Sequence, residues 1–340
     1  MGNSRLGFAL LMLVVILWVA SSNAIQMIFK NISFNKPFFL TYFSTTMFSI
    51  YLITLLWKKN LLIESSQENF YLIAKTALKF CPLWFFANYF FNLSLGLTRV
   101  ASNTVISSSS SMFTLIFSII ILKEKPVLLK FVSVIIVIMG VSCVALSDTE
   151  GIDSFVGDAF ALLGAIVYAT YSVFLKSQAV SLDMTVFFGC VGAINAIVLL
   201  PGLLFVNFSG IEEFEFPNSM IIGFLALNAL FGTVLSDLLW ALSVKHLNPA
   251  LCTVGLSLTI PLSMTVDKIW HGYSYSYLYL IGALMIVCGF IIMSLFEYPK
   301  VAEKFNSFNI DSIFQAKRKG ERKNLLSVSE MSKIVSYWMS

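Results

Sequence analysis

Asp237 is the residue whose position most demands a chemical explanation. It lies deep in an apolar stretch, 219–245, where burying a carboxylate costs a few kcal/mol, so it must face a polar cavity or carry a proton. Subtracting 149 from its number leads to Asn88, a second polar residue deep in an apolar stretch. Two such positions related by an internal repeat suit a site that binds a small solute or passes a proton. They equally suit a hydrogen bond that only holds two helices together.

A second group is rich in hydroxyls. Ser107, Ser108, Ser109, Ser110 and Ser111 run consecutively, flanked by Asn103, Thr104 and Thr114. Small hydroxylated residues allow close helix approach and return hydrogen bonds to the backbone. The counterpart further along is Thr253, Gly255, Ser257 and Thr259, with Pro261 two residues later. Proline removes a donor from the ladder, and interrupted membrane helices expose backbone groups to a cavity. Asn103, Ser107, Ser110, Thr253, Ser257 and Thr259 are therefore candidates for lining a path.

Asp158, Tyr168, Tyr171 and Lys176 follow one another along a third stretch. The tyrosines could stack on a solute or hydrogen-bond to it, and packing would explain them as well. Lys176 is a candidate ligand, although a lysine near a helix end also snorkels. Lys123, Glu124, Lys125 and Pro126 read as a tight turn that starts the next helix with proline. Asp267, beside Lys268, could take part in a gate.

Enzymatic chemistry has little to work with. The two histidines, His246 and His271, have no HExxH spacing, and no Walker A or GxSxG pattern is present. The five cysteines form no CxxC pair and read as small buried hydrophobes. Nothing calls for a cofactor or a metal, and the scattered basic residues make no nucleic-acid footprint.

The elements that must position these residues follow from composition. The chain is 58% hydrophobic and 12% charged, with a mean hydropathy of +0.86, against about 45–50% and about 25% for a soluble domain. One span needs about 20 apolar residues. Ten spans are predicted at about 6–29, 37–57, 75–96, 100–122, 126–147, 155–178, 184–207, 219–245, 248–270 and 276–296. The apolar runs are continuous instead of alternating, which selects helices over a barrel. The expected fold is an all-α polytopic membrane protein.

The chain also repeats. Gly7, Ala9 and Ser22 recur as Gly157, Ala159 and Ser172 at an offset of 150. At an offset of 149, Ser94 recurs as Ser243, Thr104 as Thr253, Ser108 as Ser257, and Gly140 as Gly289. The first segment, with Arg5 and a small-residue stretch at 20–24, could pass for a cleavable signal peptide, but its match to the sixth span favours a retained helix. Five helices duplicated give ten transmembrane helices as two inverted five-helix repeats, because an odd number reverses the second copy, the arrangement of secondary transporters. The expected units are 1–148, 149–298 and a basic tail, 299–340.

Lys and Arg cluster on one face, including Arg5, Lys123, Lys125, Lys130, Lys176, Lys245 and the tail. The positive-inside rule then puts both termini in the cytosol. The acidic loops at Asp148, Glu150 and Asp153 and at Glu212, Glu213 and Glu215 fall on the other face, as would sequons at Asn31 and Asn207, while the one at Asn92 lies inside a helix.

Several runs resemble the drug/metabolite transporter superfamily, in particular the F subfamily of solute carrier family 35 and related fungal vacuolar membrane proteins. They are Arg99-Val100-Ala101-Ser102-Asn103-Thr104-Val105, Ser110-Ser111-Met112-Phe113-Thr114-Leu115, Lys123-Glu124-Lys125, Gly157-Asp158-Ala159, Tyr168-Ala169-Thr170-Tyr171, Phe187-Phe188-Gly189, Gly232-Thr233-Val234-Leu235-Ser236-Asp237 and Thr253-Val254-Gly255-Leu256-Ser257-Leu258-Thr259-Ile260-Pro261-Leu262. The resemblance spans the membrane region and leaves out the tail. It implies a cavity between the first four helices of each half, alternating access, a homodimer contact through the fifth and tenth helices, and residence in an endomembrane such as vacuole, lysosome or Golgi.

The expected partners are the lipid bilayer and a small-molecule substrate. A nucleotide sugar would require buried Lys or Arg. The deep charge is instead an acid, Asp237, which favours a neutral or cationic metabolite, coupled to protons through that carboxyl. Nucleotide-sugar exchange with lysines bending into the cavity is the alternative, and a non-transporting scaffold acting through its tail is a reading of another class.

Overall fold

The computed structural model describes residues 2–32, 36–57, 67–98, 100–147, 154–179, 182–210, 219–271 and 275–295. The tail, Arg99 and both acidic loops lie outside the described residues, and Asp267 and Asn31 are described in their backbone alone.

Every regular element among the described residues is helical. In chain order they are α1 (Gly2–Ile32), α2 (Pro37–Thr46), a 3-10 turn (Met47–Ser49), α3 (Ile50–Trp57), α4 (Gln67–Leu97), α5 (Val100–Ser108), α6 (Ser110–Ile121), α7 (Leu128–Leu146), α8 (Phe155–Ala179), α9 (Met184–Val198), α10 (Leu200–Phe208), α11 (Ser219–Asn228), a π-helical segment (Ala229–Leu235), α12 (Ser236–His246), α13 (Pro249–Leu256), α14 (Thr259–His271) and α15 (Tyr277–Leu295). Among the described residues nine helical segments are long and apolar enough to cross a membrane, and the shorter apolar run Phe38–Ile53 accompanies them. Large apolar side chains point outward all round the bundle, among them Ile197, Phe205, Ile269 and Leu284. That surface belongs in lipid. The protein is an all-α polytopic membrane protein.

Packing pairs α1 with α12, α4 with α8, and α7 with α15. Close approach depends on glycine. A Cβ on Gly140 would lie 2.7 Å from the Gly282 carbonyl oxygen, and one on Gly289 would lie 2.9 Å from that of Ser133, so α7 and α15 touch backbone to backbone. Comparable contacts recur about 149 positions apart. Gly7 sits against Leu247 as Gly157 sits against Thr98, and Ser243 Oγ lies 3.6 Å from Cys252 Sγ where Ser94 Oγ accepts from Asn103 Nδ2 at 2.7 Å.

Two spans are broken at matching points. The fourth is interrupted at Ser109, between α5 and α6, and the ninth at Ser257 and Leu258, between α13 and α14. The second break has a simple cause: the Pro261 ring would clash with the carbonyl of Ser257 and offers it no N–H. The first has no proline. There Ser108 Oγ donates to the Val105 carbonyl at 2.7 Å and Ser109 Oγ to the Ile106 carbonyl at 2.6 Å, so side chains compete for the ladder.

One sequence expectation is corrected. Pro126 does not open the next helix, because α7 begins at Leu128 with Val127 as its extended cap. Lys123 adopts φ 55°, and this reversal sets Pro126 in the connection itself. Glu124 faces inward there, ion-paired with Lys130 at 3.5 Å and accepting from Asn248 Nδ2.

Candidate functional site

The π-helical segment Ala229–Leu235 leads directly into α12 and Asp237. A π turn carries an extra residue, widens the helix and frees backbone groups for other partners, and such turns are frequent at functional sites. Here the partners come from the first half of the chain. Tyr51 Oη, on α3, donates to the Val234 carbonyl at 2.7 Å. Trp18 Nε1, on α1, donates to Ser236 Oγ at 3.1 Å, and that hydroxyl donates to the Gly232 carbonyl at 2.6 Å. Gly232 allows α1 this close, since a Cβ there would lie 2.1 Å from Ser21 Oγ. Two aromatic donors thus hold the wide turn next to Asp237.

Asp237 itself is half-buried. Among the described residues its carboxylate has neither an ion pair nor a hydrogen bond. Its charge is felt at the hydroxyls of Tyr51, Tyr168 and Tyr171. The tyrosines belong to a packed aromatic cluster: Tyr168 and Tyr171 have ring centroids 4.8 Å apart, Tyr171 and Trp240 5.7 Å, and Tyr171 and Phe80 5.5 Å. Tyr168 Oη and Trp240 Nε1 are buried without a hydrogen-bond partner. An acid beside such groups, at the depth of hydrocarbon, can bind a cation or a hydrogen-bonding solute, or carry a proton. No group of three His, Cys, Asp or Glu that could hold a metal is present among the described residues.

The structure brings Asp237, Tyr168 and Tyr171 into this cluster, and the other candidates have partners of their own. Asn88 is half-buried on α4 and donates to the Trp84 carbonyl one turn back, at 2.9 Å. Asn103 is buried and joins α5 to α4 through Ser94. Ser107 lies 3.5 Å from Asn103 Oδ1, and the Ser110 carbonyl accepts from Thr114. Thr253 and Thr259 hydroxyls return to the carbonyls of Ala250 and Leu256, and Ser257 occupies the break itself. Residues 104–110 and 256–264 are half-buried without exception. Lys176 is engaged elsewhere, on three carbonyls at the end of α12.

Sequence reasoning missed Tyr51, Trp240 and the π turn. Trp240 could have been found three residues after Asp237, on the same face of a helix. Tyr51 near the end of a span looks like an ordinary interfacial tyrosine.

The sequence profile of the triose-phosphate transporter family matches residues 9–271. The chain belongs to the triose-phosphate transporter family. Relatives within reach of this family assignment include an uncharacterised transporter of Schizosaccharomyces pombe, 34% identical over 86% of this chain and 96% of that one. A vacuolar membrane protein of Saccharomyces cerevisiae is 33% identical over 85% and 90%. Solute carrier family 35 member F5 of Pongo abelii is 37% identical over 66% of this chain and 44% of its own length. A crystal structure superposes with a TM-score of 0.67 at 16% identity, covering 87% of this chain and 97% of the other, which establishes a shared fold. As a member of the triose-phosphate transporter family, this chain is a membrane transporter by family.

Proposed function

We propose that this transporter is secondary-active and moves a small neutral or cationic metabolite by alternating access, with Asp237 as the binding and proton-coupling group. The observation that carries this reading is the half-buried Asp237 carboxylate, free of ion pairs and hydrogen bonds among the described residues, beside Tyr51, Tyr168 and Tyr171. A phosphorylated sugar or a nucleotide sugar needs a cation at the site, and Lys176, at the inner edge of the cluster, already spends its donors on backbone carbonyls. Recurrence of contacts at about 149 positions supports two inverted five-helix halves, 1–148 and 149–298, meeting around Asp237 and Asn88. Broken helices at Ser109 and at Ser257 supply the irregular backbone that membrane transporters place at a cavity.

The vacuolar membrane named for the yeast relative and the distribution of Lys and Arg support an endomembrane transporter with cytosolic termini. The outward apolar stripes of α7 (Val132, Ile135, Met139) and α15 (Ile281, Leu284, Ile291) are the surface for a homodimer.

The test is uptake into proteoliposomes of the purified full chain, with a panel of labelled cationic, neutral and nucleotide-sugar solutes, with and without a pH gradient. Gradient-driven uptake of a cation or neutral solute, lost in Asp237→Asn, is the expected result. Saturable exchange of a nucleotide sugar, unaffected by Asp237→Asn, would overturn the reading.

A further inference from the structure

We propose that Lys176 is a gate residue: its ammonium latches the end of α8 to the end of α12 and holds the bundle closed on that side. The inference rests on the alternating-access reading above. It departs from the expectation that Lys176 touches the solute.

The geometry of the latch is complete. Lys176 Nζ reaches the carbonyls of Val244 at 2.8 Å, Lys245 at 3.0 Å and Leu247 at 2.6 Å. An ammonium has three donors, and the last carbonyls of a helix lack intrahelical partners while carrying the negative end of its dipole. One side chain therefore satisfies three orphan acceptors on a neighbouring helix. The two helices it joins are those that carry the site: Tyr168 and Tyr171 are on α8, and Asp237 and Trp240 are on α12. Lys176 follows Tyr171 by five residues, about 7.5 Å along the helix.

The other end of α8 is built differently. A Cβ on Gly157 would lie 2.9 Å from the Thr98 backbone nitrogen, and Thr98 Oγ1 donates to Asp158 Oδ1 at 2.9 Å while accepting from the Ser154 N–H at 3.2 Å. That joint is backbone against backbone and fixes α8 to α4. The Lys176 joint is a flexible side chain's ammonium over an apolar contact that includes Leu175 and Leu247, about 27 Å away at 1.5 Å per residue. Helix α8 thus has a firm pivot at one end and a releasable tie at the other, with the site tyrosines between them.

Burial agrees with closure at the Lys176 end. Leu175, Leu247 and Leu251 are among the largest fully buried side chains, and they lie where α8 and α12 end and α13 begins. Gly7 presses on Leu247, and Gly255 on Leu11. Toward the opposite end, Trp18, Ser21, Asn228 and residues 256–264 are all half-buried. A solute wedged between Tyr171 and Trp240 changes the spacing of α8 and α12 and so acts on the latch directly.

Hydrogen–deuterium exchange on the full chain in nanodiscs, without any solute, tests the gate independently of transport. Lys176→Met is expected to speed exchange at 240–250 about tenfold, the equilibrium effect of one net charge-assisted bond, and to slow it at 225–235 and 256–264 as the far side closes. Faster exchange at 244–250 alone, or no change, would mean a static helix cap and overturn the proposal. If Lys176→Met is not monodisperse, Lys176→Arg, whose planar fork cannot converge on three carbonyls from one nitrogen, is read at the same segments by the same criterion. Reciprocal exchange with no uptake of any panel solute would leave the gate standing and remove the transport reading alone.

Discussion

Tyr51 and Asp237 should act as one unit, and a double-mutant cycle measures it. Tyr51→Phe keeps the ring and deletes the hydroxyl that donates to the Val234 carbonyl at 2.7 Å. A partly buried acceptor left unsatisfied costs about 1–3 kcal/mol. Since that acceptor belongs to the π turn that orients Asp237, part of the cost falls on the site, and kcat/KM for the solute that saturates wild-type uptake should fall about tenfold, or about 1.4 kcal/mol. Asp237→Asn keeps the shape and removes the charge. Losing a charge-assisted contact of about 1.5–3 kcal/mol lowers kcat/KM by about 10- to 150-fold. In the Asp237→Asn background the Tyr51 hydroxyl has no carboxylate left to position, so adding Tyr51→Phe should cost little further, giving a coupling of about 1 kcal/mol. Initial uptake rates in proteoliposomes give the four kcat/KM values, and thermal unfolding of each variant separates site effects from stability. Additivity of the two substitutions within about 0.5 kcal/mol, or a Tyr51→Phe variant with lowered Tm and unchanged kcat/KM, would refute the reasoning.

Two further predictions concern the scaffold. Gly192→Ala would place a Cβ 2.2 Å from the Ser49 backbone nitrogen and 2.7 Å from the Phe48 carbonyl carbon; neither is a flexible side chain, so a loss of about 1–3 kcal/mol is expected in thermal unfolding, whereas Gly223→Ala, with nothing within 4 Å, should be neutral or stabilising by up to about 1 kcal/mol. Asp183 caps α9 by accepting from the N–H groups of Thr185 at 2.8 Å and Val186 at 3.2 Å, so Asp183→Ala should lower stability by about 0.5–2 kcal/mol, visible as faster amide exchange in the first turn of α9.

Hydrophobicity made the spans legible, and its failures have physical causes. Hydropathy predicts the third span from residue 75, yet α4 starts at Gln67. Gln67, Glu68 and Asn69 extend the helix ahead of an apolar run that itself starts at Phe70, and Lys75 and Lys79 lower the hydropathy of its first turns, so a hydropathy window starts late. Pro261 announced the break in the ninth span because a missing N–H is a local property. The break at Ser109 was less legible, since the same serines would have sat in an unbroken helix; only the competition of Ser108 and Ser109 with the backbone decides it. The π turn Ala229–Leu235 leaves no local mark. It is held by Tyr51 and Trp18, which come from more than 180 positions away.

The site divides along the same line. Asp237 was legible because its charge costs free energy wherever it lies in the bilayer, and Tyr168 and Tyr171 because they share a helix. Lys176 shows why residue type alone is insufficient. A lysine at the inner edge of a transport path reads equally as a ligand for a phosphate and as a tie between helices, and these uses exclude each other while all three donors rest on carbonyls. A fold that elsewhere carries the name of a phosphorylated sugar can take a different cargo by changing which charge reaches the cavity. In this chain the charge beside the aromatic cluster is an acid, and the nearby base is occupied by the backbone of the helix that carries it. On the proposed reading, binding a cation at Asp237 and releasing Lys176 are two ends of one motion, because α12 carries the carboxylate and, with its cap residue Leu247, the three carbonyls.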